Sequence, residues 1–192
     1  MYSWKNYFVI QADYQHWANE VLFVALEHLP ADAIAADQGL FFNSIHHTVD
    51  HMLVVSQAWL ARLQATAFTP NYKTISQPDW RKLKNTLRHE TRRLQGWLQA
   101  RPEAFFDAQV RFSGSDGKPR EMWARDALTH LFTHFVHHRG QVSAVITRLG
   151  GPCPEMDFVF YRREMDKVLS ETRQASGPGE VADKPDPDDE PF

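Results

Sequence analysis

The sequence predicts an all-α fold: a four-helix bundle with a short hairpin or extended excursion between its third and fourth helices, and a short C-terminal helix. Two observations lead to this prediction. Apolar residues recur at helical spacing in four long runs of the 192-residue chain. The alternation of apolar and polar residues that half-buried strands produce is confined to one short stretch near residue 110. Four amphipathic helices bury their apolar sides most simply against one another.

The first two predicted helices span residues 6–29 and 41–63. Pro30 ends the first of them, because proline cannot continue a helix. A loop with the sequence PADAIAADQG follows. In the second helix, apolar residues at helical spacing from Ile45 to Leu63 predict one buried side.

The third predicted helix begins at the sequence SQPDW and ends near residue 100. Ser76 is the expected N-cap, Pro78 suits the first turn, and Asp79 favours the positive end of the helix dipole. The pattern then changes over residues 105–120, where AQVRF alternates and SGSDGKP has the composition of a turn. This stretch predicts the hairpin or extended excursion.

The fourth predicted helix spans residues 122–149 and ends at two glycines and Pro152, and the C-terminal helix spans residues 157–170. Residues 174–192 hold six acidic residues and one lysine among prolines and glycines. Such a segment buries too little apolar surface to offset the entropy cost of ordering. We therefore expect one helical-bundle domain over residues 1–173 and a disordered, acidic, proline-rich tail over residues 174–192.

The charge of the chain argues against a nucleic-acid partner. The formal charge is -3, and because residues 174–192 contribute -5, residues 1–173 carry +2. Such a body lacks the basic stripe that neutralises several phosphates. No segment has the roughly 18 uninterrupted apolar residues of a membrane span, so we expect a cytoplasmic protein with no membrane partner. The single cysteine excludes an intramolecular disulfide and cysteine-based zinc sites.

Histidines are concentrated on the second and fourth predicted helices. On the fourth, His130, His134 and His138 have the spacing i, i+4, i+8, which places them along one side of the helix, the apolar side. On the second, His47 and His51 have the spacing i, i+4. A buried neutral imidazole needs a partner for each ring nitrogen, and a cation bound by two imidazoles supplies a partner to both.

Two interpretations of these histidines remain open. In one, His51 reaches across the bundle to His134 and His138, and three neutral nitrogens bind a divalent metal with positions left for water or substrate. Such ligands suit zinc, nickel, iron or copper. In the other, the histidines are polar members of the helical core, since an i, i+4 pair is a common accident. A zincin-type protease is disfavoured, because Phe135 replaces the glutamate of H-E-x-x-H.

Four stretches resemble the DinB/YfiT-like family of small metal-binding helical bundles, which is unrelated to the DNA polymerase of similar name. They are WANEVLFVALEHLP, FFNSIHHTVDHMLVVSQAWLARL, LTHLFTHFVHHRGQVSAVITRLGGP and, more weakly, DFVFYRRE. Together they cover the chain from the first predicted helix to the start of the fifth. The most specific element is HxxxHRGQ after an upstream histidine.

The resemblance implies a metal site. In the family, one histidine of the second helix and two of the H-x-x-x-H element bind a divalent metal, usually zinc or nickel, and by motif position these are His51, His134 and His138. Where the family often has an aspartate, five residues after the first histidine, this chain has Ser56. Four neighbours are candidates for orienting imidazoles or substrate, with helix packing as the alternative for the last two: His47, His137, Arg139 and Gln141.

The resemblance also implies an activity and an assembly. The family includes bacillithiol- and mycothiol-dependent transferases and isomerases, beside many members without a known activity. A three-histidine metal site would bind a low-molecular-weight thiol as thiolate, lower its pKa and present it to an electrophilic small-molecule substrate. The alternatives are a metal-dependent hydrolase that uses metal-bound hydroxide and a non-enzymatic interaction or sensor module stabilised by the metal. Members often pair, so we expect a homodimer.

We predict that His134→Ala and His138→Ala each abolish tight metal binding, because each variant lacks one of three ligands. His46→Ala removes a neighbouring histidine on the second helix and should leave metal binding nearly unchanged. Mass spectrometry of the metal content of protein purified without a histidine tag measures all three. Equal occupancy in the three variants would contradict the ligand assignment.

Overall fold

The computed structural model describes residues 3–114 and 116–175, and most of them are helical. The helices are α1 (Trp4–Leu26), α2 (Ala31–Ala35), α3 (Ile45–Leu63), α4 (Trp80–Gln99), α5 (Ala124–Arg148) and α6 (Phe158–Ala175). The strands are β1 (Gln109–Ser113) and β2 (Pro119–Trp123), preceded by a 3-10 helix, Glu103–Asp107. This mostly helical structure with one small sheet agrees with the predicted all-α class.

The chain divides into two compact units, one that ends at Asp157 and one that contains α6. α6 is longer than the predicted helix over residues 157–170. The acidic tail predicted for residues 174–192 lies outside the described residues from residue 176 onward. No described helix combines the length and the apolar character that a membrane crossing requires.

In the first unit, the four long helices share one apolar core. α1 packs against α4 and α5, and α3 also packs against α4 and α5, so each long helix has two long neighbours. Their inward sides bury large apolar residues, among them Phe8, Leu22, Met52, Leu60, Leu87, Leu131 and Phe135. The apolar periodicity of the sequence therefore identified the buried sides, and the structure shows that α3 and α5 are direct neighbours.

Side-chain caps explain where α3 and α4 begin. Ser44 Oγ accepts a hydrogen bond from the His47 backbone N–H at 3.0 Å, so α3 starts at Ile45 and not at residue 41 as predicted. Asp79 caps α4 by accepting from the Lys82 N–H at 2.8 Å. The prediction of Ser76 as this cap was wrong, because a residue of α3 binds the backbone of Ser76.

The segment before α4 is tied to α3 by a buried carboxylate. Asp50, which is 1% exposed, accepts hydrogen bonds from the backbone N–H groups of Ser76 and Gln77, each at 2.8 Å. These bonds hold the segment outside the helix, and Asp79 is the first residue free to cap it. A contact across 26 residues of sequence therefore decided the helix start.

The predicted hairpin is present, and it shortens the next helix. β1 and β2 pair antiparallel with Gln109 opposite Trp123, and Gly117 has a φ of 75°, a left-handed turn conformation that suits glycine. Met122 pairs with Val110 in this sheet, so α5 begins at Ala124 rather than at residue 122. The predicted loop after Pro30 contains the short helix α2.

A buried arginine joins α5 to α1. Arg139 is 1% exposed, and its guanidinium donates to Gln15 Oε1 at 2.7 Å and to Asn19 Oδ1 at 3.2 Å. It also lies over the ring of Tyr14 at 5.5 Å. Burial lowers the pKa of Arg139 to about 10, which leaves it charged at neutral pH. The charged guanidinium of Arg139 therefore links α5 to α1, and its hydrogen bonds to α1 are accepted by neutral amide oxygens.

Removing one of these oxygens should destabilise the fold. We expect Gln15→Leu to lower the free energy of unfolding by about 1.5–3 kcal/mol, because a buried charged donor loses its partner. Gln99→Leu, at an exposed position of α4, is the matched control and should change stability by less than about 0.5 kcal/mol. Urea unfolding measures both variants. Equal effects would show that the Arg139 contact contributes no stability.

Candidate metal centre

Three histidines from two adjacent helices meet between α3 and α5. The Nε2 atom of His134 lies 3.0 Å from Nε2 of His51 and 3.1 Å from Nε2 of His138. All three ligand nitrogens lie within 4.8 Å of one another. His138 is buried, and the other two are half-buried. The structure therefore brings together the three side chains that the spacing and the family resemblance selected.

The helices explain this convergence. His134 and His138 are one turn apart on α5 and share a side of that helix, and α3 packs against it. Gln141, a further turn along α5, places its Oε1 atom 2.8 Å from His138 Nδ1. A carbonyl oxygen accepts only, so Nδ1 of His138 carries the proton and its Nε2 lone pair faces the other imidazoles.

Burial keeps these imidazoles neutral. It lowers the pKa of His51 to about 4 and that of His134 to about 3, and the neighbouring histidines add to both shifts. Burial also lowers the pKa of His138, against the opposing effect of its bond to Gln141. At neutral pH the cluster therefore offers uncharged imidazoles, which is the protonation state that binds metals.

The arrangement fits a divalent cation better than a set of hydrogen bonds. His134 Nε2 carries at most one proton, so it cannot donate to both of its neighbours. Two nitrogens bound to tetrahedral zinc at about 2.0–2.1 Å lie roughly 3.3 Å apart, close to the observed separations. The other ring nitrogens differ in their support: Nδ1 of His138 is bonded to Gln141, whereas Nδ1 of His51 is buried and has no hydrogen-bond partner among the described residues.

Two aromatic residues that the sequence did not single out line the cluster. The ring of Phe42, just before α3, stacks on His51 at 4.0 Å and contacts His138 at 5.7 Å. Tyr72, in the loop before α4, packs against His51 at 5.6 Å. Tyr72 lies in a loop, and Phe42, which falls within the predicted helix over residues 41–63, precedes the observed start of α3. They cover the imidazoles and reduce contact with water.

The other histidines lie around the cluster without joining it. His130 stacks on His134 at 5.7 Å but is exposed, so the histidine stripe expected on the apolar side of α5 is buried only at His138. The half-buried ring of His47 lies 5.4 Å from Phe42. His137 is exposed and lies 4.9 Å from the ring of His138.

Three further residues named from the sequence lie apart from the three imidazoles. His46 Nε2 is 2.8 Å from the backbone oxygen of Gln77 and so supports the segment before α4. Arg139 points to α1, as described above, which matches the interhelical alternative for that residue. Ser56 is fully buried, and its hydroxyl has no partner among the described residues.

The fold and this cluster define a mostly helical protein with a candidate three-histidine metal centre. The chain belongs to the DinB family: the family model matches residues 5–174, which confirms the resemblance seen in its motifs. No curated protein matches the chain.

Acid should destabilise the metal-free protein through this cluster. His51 and His134 have pKa values of about 4 and about 3 in the folded chain, against 6.5 for a free side chain. Between pH 6.5 and about pH 3 these two histidines bind more protons in the unfolded chain than in the folded chain. The free energy of unfolding therefore falls as the pH drops below about 6.5, and it stops falling from this cause below about pH 3. Urea unfolding in the presence of a chelator, between about pH 7 and about pH 4.5, measures this loss.

The control is the double variant His51→Gln, His134→Gln, in which the two titrating groups are absent. Its stability should fall less steeply over the same pH range. Equal slopes in the variant and the natural sequence would show that these two imidazoles are not held neutral by the fold.

Proposed function

We propose that this protein is a divalent-metal-dependent enzyme that uses a low-molecular-weight thiol, as an S-transferase or an isomerase. The single observation that carries the metal part is the convergence of three Nε2 atoms at 3.0 and 3.1 Å. Membership of the DinB family supports the thiol part. We further propose that α1, α3, α4 and α5 form a four-helix bundle and that the protein is a homodimer.

In this proposal His51, His134 and His138 hold the cation, and neutral nitrogen ligands favour zinc or nickel over calcium or magnesium. The cation would supply one effect, a lower pKa for a thiol bound to it. Gln141 orients His138 by accepting its Nδ1 proton. The ring of Phe42 restricts the motion of His51.

The sulfur in this chemistry has to come from a bound molecule. Cys153 is the single cysteine of the chain; it is exposed and does not belong to the histidine cluster. A protein site without a thiol of its own leaves the nucleophile to a cofactor, which agrees with a thiol-dependent reaction. In a transfer reaction an S–C bond forms to the electrophilic carbon, the bond to the leaving group breaks, and the thiol proton passes to solvent. In an isomerisation the S–C bond forms and then breaks again, and the thiol regains its proton.

Thiol conjugation tests the proposal directly. Zinc- or nickel-loaded protein is mixed with monochlorobimane and, in separate reactions, cysteine, glutathione, bacillithiol or mycothiol. We expect at least one thiol to give a fluorescent conjugate with release of chloride, faster than without protein. The triple variant His51→Ala, His134→Ala, His138→Ala should bind no metal and give only the uncatalysed rate.

The matched control is His46→Ala, which removes a buried histidine of α3 outside the cluster and should keep both metal and activity. Bound metal without conjugation of any thiol would contradict the enzymatic proposal and favour a metal-stabilised module. Hydrolysis of activated esters that needs the metal but no thiol would contradict it in favour of a hydrolase.

A further inference from the structure

A cavity of about 1080 Å³ lies on one side of Tyr72, whose ring contacts His51 of the histidine cluster. Its walls are the C-terminal end of α3 at Arg62, the loop over residues 65–73, and the end of β1 with the start of the following turn, residues 111–114. Its volume is slightly above the range of small-molecule sites, roughly 300–1,000 Å³. No residue of the histidine cluster lines it, so it is a separate space with walls of its own.

One wall residue connects the cavity to the cluster, and a second leads to His130 beside it. Tyr72 lines the cavity, and its ring packs against that of His51 at 5.6 Å. Arg62 lies over the ring of Trp59 at 4.6 Å, and Trp59 in turn contacts the ring of His130 at 5.1 Å. A molecule in the cavity therefore lies one side chain away from the histidine site.

The charged side chains of the wall have one sign. Arg62, Lys73 and Arg111 are cationic, and none of the described residues that line the cavity carries a carboxylate. Arg111 is already paired with Glu121, at 3.3 Å, and is largely exposed. Arg62 is half-buried and forms no ion pair within the part of the chain that the structure describes. Arg62 is therefore the cation best placed for a ligand.

The aromatic neighbours of Arg62 prepare it for an anion. Its guanidinium lies beside the edge-to-face pair of Trp59 and Phe112, 4.6 and 4.9 Å from rings whose centroids are 5.2 Å apart. Contact with both rings restrains the guanidinium, which also hydrogen-bonds to the side chain of Tyr72. A guanidinium has five N–H donors, so others remain for a planar acceptor such as a carboxylate. Phe68 and Pro70 add apolar surface to the same wall.

We propose that this cavity binds a small organic carboxylate with an apolar or aromatic body, and that Arg62 binds its carboxylate. If the proposed function holds, on which this step rests, the carboxylate compound is the electrophilic substrate. Its reactive carbon then points toward the histidine site. Arg62 is then a specificity-determining residue, which selects anionic over neutral substrates of the same shape.

Binding of a matched pair of probes tests this. 2-Naphthoate carries the carboxylate, and 2-naphthamide has the same body without the charge. Isothermal titration calorimetry should give an affinity for naphthoate about tenfold or more above that for naphthamide. A charge-assisted hydrogen bond contributes a difference of this size. Arg62→Gln should weaken naphthoate binding by a similar factor and leave naphthamide binding unchanged.

Two further variants keep the test sharp. Arg62→Lys keeps the charge and most of the aliphatic stem, so it should fold even if the glutamine variant does not, and it should lose less affinity than Arg62→Gln. Arg81→Gln makes the same change of charge at an exposed position of α4 that does not line the cavity, and it should bind naphthoate normally. Equal binding of both probes, or unchanged binding by Arg62→Gln, would overturn the proposal.

The metal-free triple histidine variant separates this proposal from the proposed function. If naphthoate still binds to the triple variant, and binding still depends on Arg62, the result supports carboxylate binding in the cavity. This holds even if the metal-loaded protein transfers no thiol. Naphthoate binding that disappears in it while Arg62→Gln binds normally would mean that the metal holds the carboxylate, and would overturn the role of Arg62.

Discussion

The contact between α3 and α5 holds three imidazoles against one another, and the features of the site depend on it. Because His51 meets His134 across this contact at 3.0 Å, the rings are shielded from water and stay neutral. Neutral rings that face one another leave lone pairs without enough protons to satisfy them. The packing that completes the core thus also creates a set of nitrogen ligands, and a cation would relieve a deficit that burial imposes.

The sequence HRGQ, residues 138–141, shows how one turn of α5 serves two neighbours. His138 faces α3, and Gln141 supports it by accepting its Nδ1 proton. Arg139 faces α1, where it donates to Gln15. This bond fixes the rotation of α5 about its axis, and so it sets the direction in which the imidazoles point. Gly140 is exposed, and a side chain there would meet no described atom within 4 Å, so packing does not explain the glycine.

The helical part of the structure and the pairing of two histidines on α5 followed from the sequence because both depend on local spacing, whereas the family resemblance identified His51 as the third. Periodicity places His134 and His138 on one side of α5 in any helix that contains them. What local spacing does not contain is a partner distant in sequence. Asp50 holds the segment before α4 and so moves its cap to Asp79, and Phe42 reaches the site from the segment that precedes the start of α3.

This division between regular and irregular segments extends to the cavity. The histidine cluster rests on two helices, whose backbone hydrogen bonds hold ligands at fixed positions. Arg62 also has a helical backbone, but the ring of Phe112, which contacts its guanidinium, comes from β1. Most of the remaining wall comes from the loop over residues 65–73. Loops and turns change with less effect on a core than helices do. The loop that forms most of the proposed substrate cavity can therefore vary more readily than the two helices that carry the histidines.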